Sequence, residues 1–247
     1  MNIILCGYGK MGREVAQIAQ IRSHDIIARI DPTDTQADTS TLHPHLLEKA
    51  DLVIEFSHAE AVPNNIVQYQ KAAIPAVIGT TGWNKEILKN VKKPLSAPIL
   101  YGSNFSIGAH MMRILTQTLA NMLNRNLEYD IAVYELHHNK KKDSPSGTAL
   151  TLADTILNTL KRKKKIVKEP LQRQIAEDEL HVIGIRNGSI PGTHQVSADS
   201  NADTLEIIHR ARNRTGFALG SIKAAEWLLN KKPGIYRIEE YIENTIL

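Results

Sequence analysis

Residues 2–12 read NIILCGYGKMG. The short apolar run NIILC predicts a strand that breaks at Gly7, and the pattern resumes at helical spacing, with Met11, Val15, Ile18 and Ala19 on one face. Gly7-Tyr8-Gly9-Lys10-Met11-Gly12 is G-x-G-x-x-G set between that strand and that helix, the context in which the pattern carries information. The first glycine permits a tight turn, the second lets a pyrophosphate approach the backbone, and the third lets helix and strand pack closely. Amides at the helix start then face the phosphates, so these residues predict a bound dinucleotide.

Working outward, DIIARID at 25–31 predicts a second strand closed by Asp31, placed to accept from a ribose 2′-hydroxyl. A carboxylate there repels a 2′-phosphate, and the following PTDTQADT offers no Lys or Arg to hold one, so NADH is the favoured cofactor. Lys10 in the glycine turn is in reach of a 2′-phosphate and leaves use of both NADH and NADPH open. LVIEF at 52–56, AVIGTTG at 76–82 and PILYG at 98–102 predict further strands, with a helix over about 59–72. Strands alternating with helices over the first hundred residues imply an α/β, Rossmann-type parallel sheet with helices on both faces. The loops Gly79-Thr80-Thr81-Gly82 and Gly102-Ser103-Asn104-Phe105 follow strands, where ligands of such sheets sit; they are candidate nicotinamide and ribose contacts.

A long helix is expected from about 108 to 124, after which the pattern changes. DIAVYELHH at 130–138, the stretch 179–198 and DTLEIIHRA at 203–211 predict strands joined by turns, with RNGS read as a hairpin signal. That implies a second α+β domain with an open mixed sheet. The segment from about Phe217 returns to a helix and a short strand or turn at GIYRI, expected to rejoin the first domain. The expected division is 1–106 with 217–247, and 107–216, although no linker composition marks it.

The 247 residues, 42% apolar and 23% charged, describe an ordinary globular chain. No apolar run approaches a membrane span, and no leader pattern opens the sequence, so the expected address is the cytoplasm with no membrane partner. The single Cys6 lies in the first apolar run and is expected to be a small buried hydrophobe. The net charge of +4 owes much to KRKKK at 161–165, read as a helix tail favoured by the macrodipole. No aromatic residues interleave with it, which argues against nucleic acid.

ELHHNKKKDSPSGTAL at 135–150 carries the remaining chemistry. Ser144 to Thr148 precede an apolar helical pattern, so the Gly147 and Thr148 amides should lie at a helix start that binds an anion. Asp143 is expected to cap or orient the turn. His137 and His138 end a strand and should face opposite ways. A histidine can give a proton as hydride arrives, and a lysine among Lys140, Lys141 and Lys142 can supply fixed positive charge for a small anionic acceptor. A zinc site from His137, His138, His194 and His209 is not expected, because no Cys partner or ligand spacing supports it. No G-x-S-x-G pattern makes Ser146 a nucleophile.

GYGKMG, Asp31, GTTG, SNFSIG, E-x-H-H-x-x-K-x-D-x-P-S-G-T, R-x-G-x-x-P-G-x-H and E-x-x-H-x-A occur in one order along the chain, and together they resemble the 4-hydroxy-tetrahydrodipicolinate reductase (dihydrodipicolinate reductase) family of lysine and diaminopimelate biosynthesis. The resemblance implies an NAD(P)H-dependent oxidoreductase acting on a small dicarboxylate, with a central domain that assembles a homotetramer. It implies His137 as catalytic proton donor, Lys141 as second donor, and His138, Gly147 and Thr148 as substrate contacts. Gly7, Tyr8, Gly9, Lys10, Met11, Gly12, Gly79, Thr80, Thr81, Gly102, Ser103, Asn104 and Phe105 would contact the cofactor, and Asp31 the adenosine ribose. Many members have a glycine turn one residue longer, and many carry Ala where Ser144 stands. Two other readings stay in view: another nicotinamide oxidoreductase on a small acid, such as an aspartate dehydrogenase, and a non-catalytic dinucleotide sensor.

Overall fold

The structure is a computed structural model that describes residues 1–90 and 94–246. The chain begins with β1 (Asn2–Cys6), α1 (Lys10–Ile21), β2 (Asp25–Ile30), α2 (Pro44–Leu47), β3 (Leu52–Glu55), α3 (Val62–Lys71), β4 (Ala76–Ile78), α4 (Ile87–Asn90) and β5 (Ile99–Tyr101). It continues with α5 (Ile107–Met122), β6 (Asp130–His137), α6 (Gly147–Thr159), β7 (Lys165–Val167), β8 (Glu179–Arg186), β9 (Thr193–Asp199) and β10 (Thr204–Arg210). It closes with α7 (Thr215–Leu228), β11 (Ile235–Arg237) and α8 (Ile238–Ile246). Two compact units result: Met1–Ile107 with Arg214–Leu247, and Gly108–Asn213.

In the first unit six parallel strands lie in the order β11-β5-β4-β3-β1-β2. The central strands are largely apolar because both of their faces are covered, and Ile3, Ile4, Leu5, Val53, Ile54, Val77 and Leu100 are all buried, whereas the edge strands β2 and β11 carry charged residues. Chain order reverses at β1, which pairs β2 on one side and β3 on the other, and ligands of such sheets bind in the crevice beyond that point. The register aligns Cys6 with Glu55 and Ile30, Glu55 with Ile78, and Ile78 with Tyr101. Gly7, Asp31, Phe56, Gly79 and Gly102 therefore leave the sheet along one edge. α1 buries Gly12, Val15, Ile18 and Ala19, and just beyond its end Arg22 forms a two-point ion pair with Glu226 of α7 at 2.8 Å per contact.

In the second unit the order is β10-β9-β6-β8-β7. β6 runs parallel to β8 and antiparallel to β9, so the sheet is mixed. Met112 and Leu119 of α5 and Leu152, Ala153 and Ile156 of α6 join Ile131, Val133, Leu180, Val182 and Val196 in one core. Period-two alternation along β6 puts Ile131, Val133, Glu135 and His137 on the buried face and leaves Ala132, Tyr134 and Leu136 half-buried. No helix among the described residues is long and apolar enough to cross a membrane.

Three local expectations change. RNGS turns the chain at Gly188, with φ +54°, but β8 and β9 do not pair; β6 lies between them, since its apolar alternation makes it the better central strand. KRKKK lies beyond α6, and Lys163 is buried, its ammonium 2.6 Å from Asp130 Oδ1 and 2.7 Å from the Glu179 carbonyl. A run read as a helix tail thus lies outside the helix and contains an anchor. The segment after β11 forms α8, with Tyr241 and Ile242 buried.

Candidate active site

The end of β6 gathers titratable side chains from three strands. Residues 135 and 137 share a face, and the Glu135 carboxylate, wholly buried, takes a short hydrogen bond from His137 Nδ1 through Oε2. Its Oε1 accepts from Arg186 at 2.9 Å and from the Ser146 amide at 3.1 Å. Burial alone would raise the Glu135 pKa, but the Arg186 guanidinium and His137 more than offset it and hold it below the usual carboxylate range. With Nδ1 committed, Nε2 is the His137 nitrogen left for other chemistry. It sits against the Gly192 backbone, where an added Cβ would lie 2.9 Å away.

His194 of β9 stands beside this pair, its ring 5.2 Å from that of His137 and at 74° to it. Burial, aided by the His137 charge, lowers its pKa to about 4, so it is neutral near pH 7. The Ser146 hydroxyl accepts from the Ala149 amide at 3.3 Å and can then donate to His194 Nε2, 3.1 Å away. The ligand atoms of Glu135, His137 and His194 lie within 4.8 Å of one another. With Arg186 on the carboxylate and His137 Nδ1 bonded to it, the cluster is a hydrogen-bonded acid-base group.

The loop that follows returns to this cluster. The His138 amide donates to the Ile190 carbonyl at 2.8 Å and that of Asn139 to Gly188 at 3.1 Å, so the 187–192 segment braces the strand end. Lys141 Nζ pairs with Asp143 Oδ1 at 2.7 Å, while Arg186 donates to the Asp143 carbonyl. Ser146, not Asp143, is the N-cap of α6; Asp143 is occupied by Lys141. Gly147 opens the helix, exposed, and a Cβ there would meet nothing within 4 Å. The Ala149 amide is taken by the Ser146 hydroxyl, and the Gly147 and Thr148 amides stand before it at the positive end of α6.

In the first unit the glycine turn has the conformation the pattern requires. Gly7 has φ +92°, and a Cβ on it would come 2.3 Å from the Phe56 carbonyl oxygen; one on Gly12 would come 2.1 Å from the Gly7 oxygen. Gly9 is exposed, and no side chain caps α1, which leaves its first amides for a ligand. This is the fit expected for a dinucleotide pyrophosphate. Asp31 Oδ2 accepts from the Tyr8 amide at 2.8 Å, and Oδ1 accepts from the Thr33 amide and hydroxyl, each at 2.9 Å, and the Asp34 amide at 3.1 Å. Burial raises its pKa, yet these donors bring it below the ordinary value. Arg13 and Arg29 lie over the Tyr8 ring at 4.7 and 5.4 Å, paired with Asp34 at 2.5 Å and Asp38 at 3.4 Å.

The other predicted cofactor loops are partly spent on packing. Gly79 makes room for the Phe56 ring and Gly102 for Ile238. Thr80 is buried, its hydroxyl donating to the Ser57 carbonyl at 3.2 Å, and Phe105 packs edge-on against Phe56. Asn104 Oδ1 accepts from the Ser106 amide at 2.8 Å. Thr81 and Ser103 are exposed, as is Lys10, while Met11 is half-buried in the first turn of α1.

Family models for the two halves of one enzyme match almost the entire chain: dihydrodipicolinate reductase, N-terminus, over residues 1–105, and dihydrodipicolinate reductase, C-terminus, over residues 108–242. The chain belongs to the dihydrodipicolinate reductase family. It is 37% identical to the 4-hydroxy-tetrahydrodipicolinate reductase of Christiangramia forsetii, over 99% of this chain and 98% of that one. Identity to the enzyme of the same name from Caldanaerobacter subterraneus is 35%, with 95% of each chain covered. A dipicolinate-bound dihydrodipicolinate reductase from Paenisporosarcina has the same fold, with a TM-score of 0.77 at 19% identity over 96% of this chain and 97% of that one. The relatives are named as reductases of this one kind, which favours that reading over an aspartate dehydrogenase or a sensor.

Within this reductase fold, sequence reasoning gave no role in the strand-end cluster to Glu135, Ser146 as cap, Arg186 or His194, although E-x-H-H begins at Glu135 and R-x-G-x-x-P-G-x-H runs from Arg186 to His194. A signal existed for Glu135, because i, i+2 spacing on a strand puts it on the face of His137. Arg186 and His194 are brought in by strand pairing, which no local pattern specifies. Arg13 and Arg29 lie outside both the glycine turn and the stretch after Asp31, and they reach the turn only through the folded Tyr8 ring.

Proposed function

We propose that this protein reduces 4-hydroxy-tetrahydrodipicolinate, by way of dihydrodipicolinate, to tetrahydrodipicolinate in lysine and diaminopimelate biosynthesis. The observation that carries the reading is the His137 imidazole, tethered through Nδ1 to Glu135, whose other oxygen holds the Ser146 amide at the start of α6, where Gly147 is exposed. NADH or NADPH supplies the hydride. Residues 1–106 with 217–247 bind it through Gly7 to Gly12, Gly79 to Thr81, Gly102 to Phe105 and Asp31, and residues 107–216 bind the substrate. Lys141 exchanges Asp143 for a substrate carboxylate, and His138 with the Gly147 and Thr148 amides holds a carboxylate as well. His137 adds a proton from Nε2 to the reduced ring, with Lys141 as second donor.

NADH is the favoured cofactor, since Asp31 opposes a 2′-phosphate; NADPH is admitted to the extent that Lys10, Arg13 and Arg29 offset that repulsion. A cytoplasmic homotetramer belongs to the same reading. The test follows NADH and NADPH loss with freshly generated substrate. His137→Gln and Lys141→Ala should each lower kcat about 10²-fold. Normal turnover in both would end the assignment of roles.

A further inference from the structure

Glu135 has no surface of its own from which to touch a substrate, yet its carboxylate joins three other members of the cluster. Through Oε2 it holds His137, and through Oε1 it holds both Arg186 and the Ser146 amide at the entry to α6. The fold makes room for it: Gly184 pairs with Glu135 across β6 and β8, and a Cβ there would lie 2.5 Å from Oε1. Across β9, His194 is its register partner. An unpaired carboxylate in such a place would be costly to bury, and Arg186 supplies the counter-charge.

We propose that Glu135 is the positioning residue of this reductase, fixing with one carboxylate both the orientation of the His137 proton donor and the position of the anion-binding start of α6. The inference rests on the reading of His137 as donor. A carboxylate on Nδ1–H keeps that proton in place and leaves Nε2–H to point outward, as second-sphere carboxylates do for other histidines. When the proton is transferred, the Nε2–H bond breaks and a bond from that proton to a ring carbon forms. The imidazolium becomes neutral imidazole, still donating Nδ1–H to Glu135. The carboxylate thus stabilises the charged donor before transfer and holds its geometry after it. The other charged or titratable groups around His137 and its neighbour His194 are Arg186 on β8, Lys141 in the following loop and His209 on β10, the register partner of His194.

The experiment compares Glu135→Gln, His137→Gln and the double variant by NADH oxidation with freshly generated substrate from about pH 6 to 9. Glu135→Gln should lower kcat about 10- to 100-fold and move the alkaline limb of kcat to lower pH, because the imidazolium loses its anionic partner. The double variant should be no slower than His137→Gln alone, since the two act as a unit. Should Glu135→Gln fold poorly, Glu135→Asp keeps the charge on Arg186 but withdraws it from His137, and it should show the same limb shift with a smaller loss. An unmoved pH limb in the folded variants, or losses that multiply in the double variant, would overturn the proposal. Failure of the His137 reading is separately visible, as normal turnover in His137→Gln.

Discussion

Glu55 in the first unit and Glu135 in the second are both wholly buried on strands, and the two are held in opposite ways. Glu55, closing β3, receives only neutral donors: the Ser57 hydroxyl at 2.5 Å, the Asn65 amide at 2.7 Å and the Tyr69 hydroxyl at 2.9 Å. Burial raises its pKa, and those hydrogen bonds do not bring it back. Glu135 is equally removed from water, yet its pKa falls below the usual range because Arg186 and His137 face it. Neutral donors satisfy a buried carboxyl; cations keep it ionised. Around Glu55 the first unit is accordingly built from neutral donors, with its Arg13–Asp34 and Arg29–Asp38 pairs set apart beside Tyr8, whereas the β6 end gathers its charges on the buried carboxylate itself, where they are available for proton chemistry.

The comparison breaks first where backbone does the binding. Gly7→Ala puts a methyl group 2.3 Å from the Phe56 oxygen on a residue at φ +92°. Strain and overpacking together should cost about 3 kcal/mol, read from the denaturant midpoint, and NADH binding by fluorescence should be lost. A variant with normal NADH affinity would show that the turn is not what holds the cofactor. Gly192→Ala acts on the other region. Its Cβ would lie 2.9 Å from His137 Nε2, and the imidazole cannot yield without leaving Glu135. We expect kcat to fall about 10-fold with NADH affinity unchanged, because a misplaced donor loses alignment before binding is affected.

That division also decides what the sequence discloses. The glycine turn is legible because a backbone-built site needs particular residues at fixed local spacing, and G-x-G-x-x-G records three such needs at once. The parallel sheet is legible for a related reason, since strands covered on both faces become continuous apolar runs. The β6 cluster depends on register. His137 could be singled out by its chemistry, but its contacts with Arg186 and His194 exist because β6 inserts between β8 and β9, against the local hairpin signal at RNGS. The buried Lys163 is hidden likewise, for a lysine run does not say which member finds an acid across the sheet.

Stability against pH sharpens the contrast between the two glutamates. A raised folded-state pKa gives a contribution that is complete below the ordinary 4.5 and lost as pH climbs through the raised value. Glu55→Gln should therefore remove a decline in stability on the alkaline side of 4.5, measured by denaturant unfolding at stepped pH. For Glu135 the sign reverses: its contribution is present above 4.5 and lost as pH falls through the lowered value. Glu135→Gln should flatten only the acid side. Both variants flattening the same side would mean that the two carboxyls are not held differently after all.

The smallest expected effect belongs to His194, and it separates the cluster's packing from its proton donor. Burial holds its pKa near 4 against an ordinary 6.5. A histidine lowered on folding stabilises fully above its unfolded value, and that contribution is lost as pH falls from 6.5 toward 4. His194→Gln keeps an amide able to accept from the Ser146 hydroxyl and has no proton to gain in that window. It should flatten the stability profile between those values while kcat near pH 7 changes by no more than about 3-fold, because His137 keeps its Glu135 tether. If kcat instead fell as far as in His137→Gln, the neutral ring beside the donor would itself be taking part in the proton transfer.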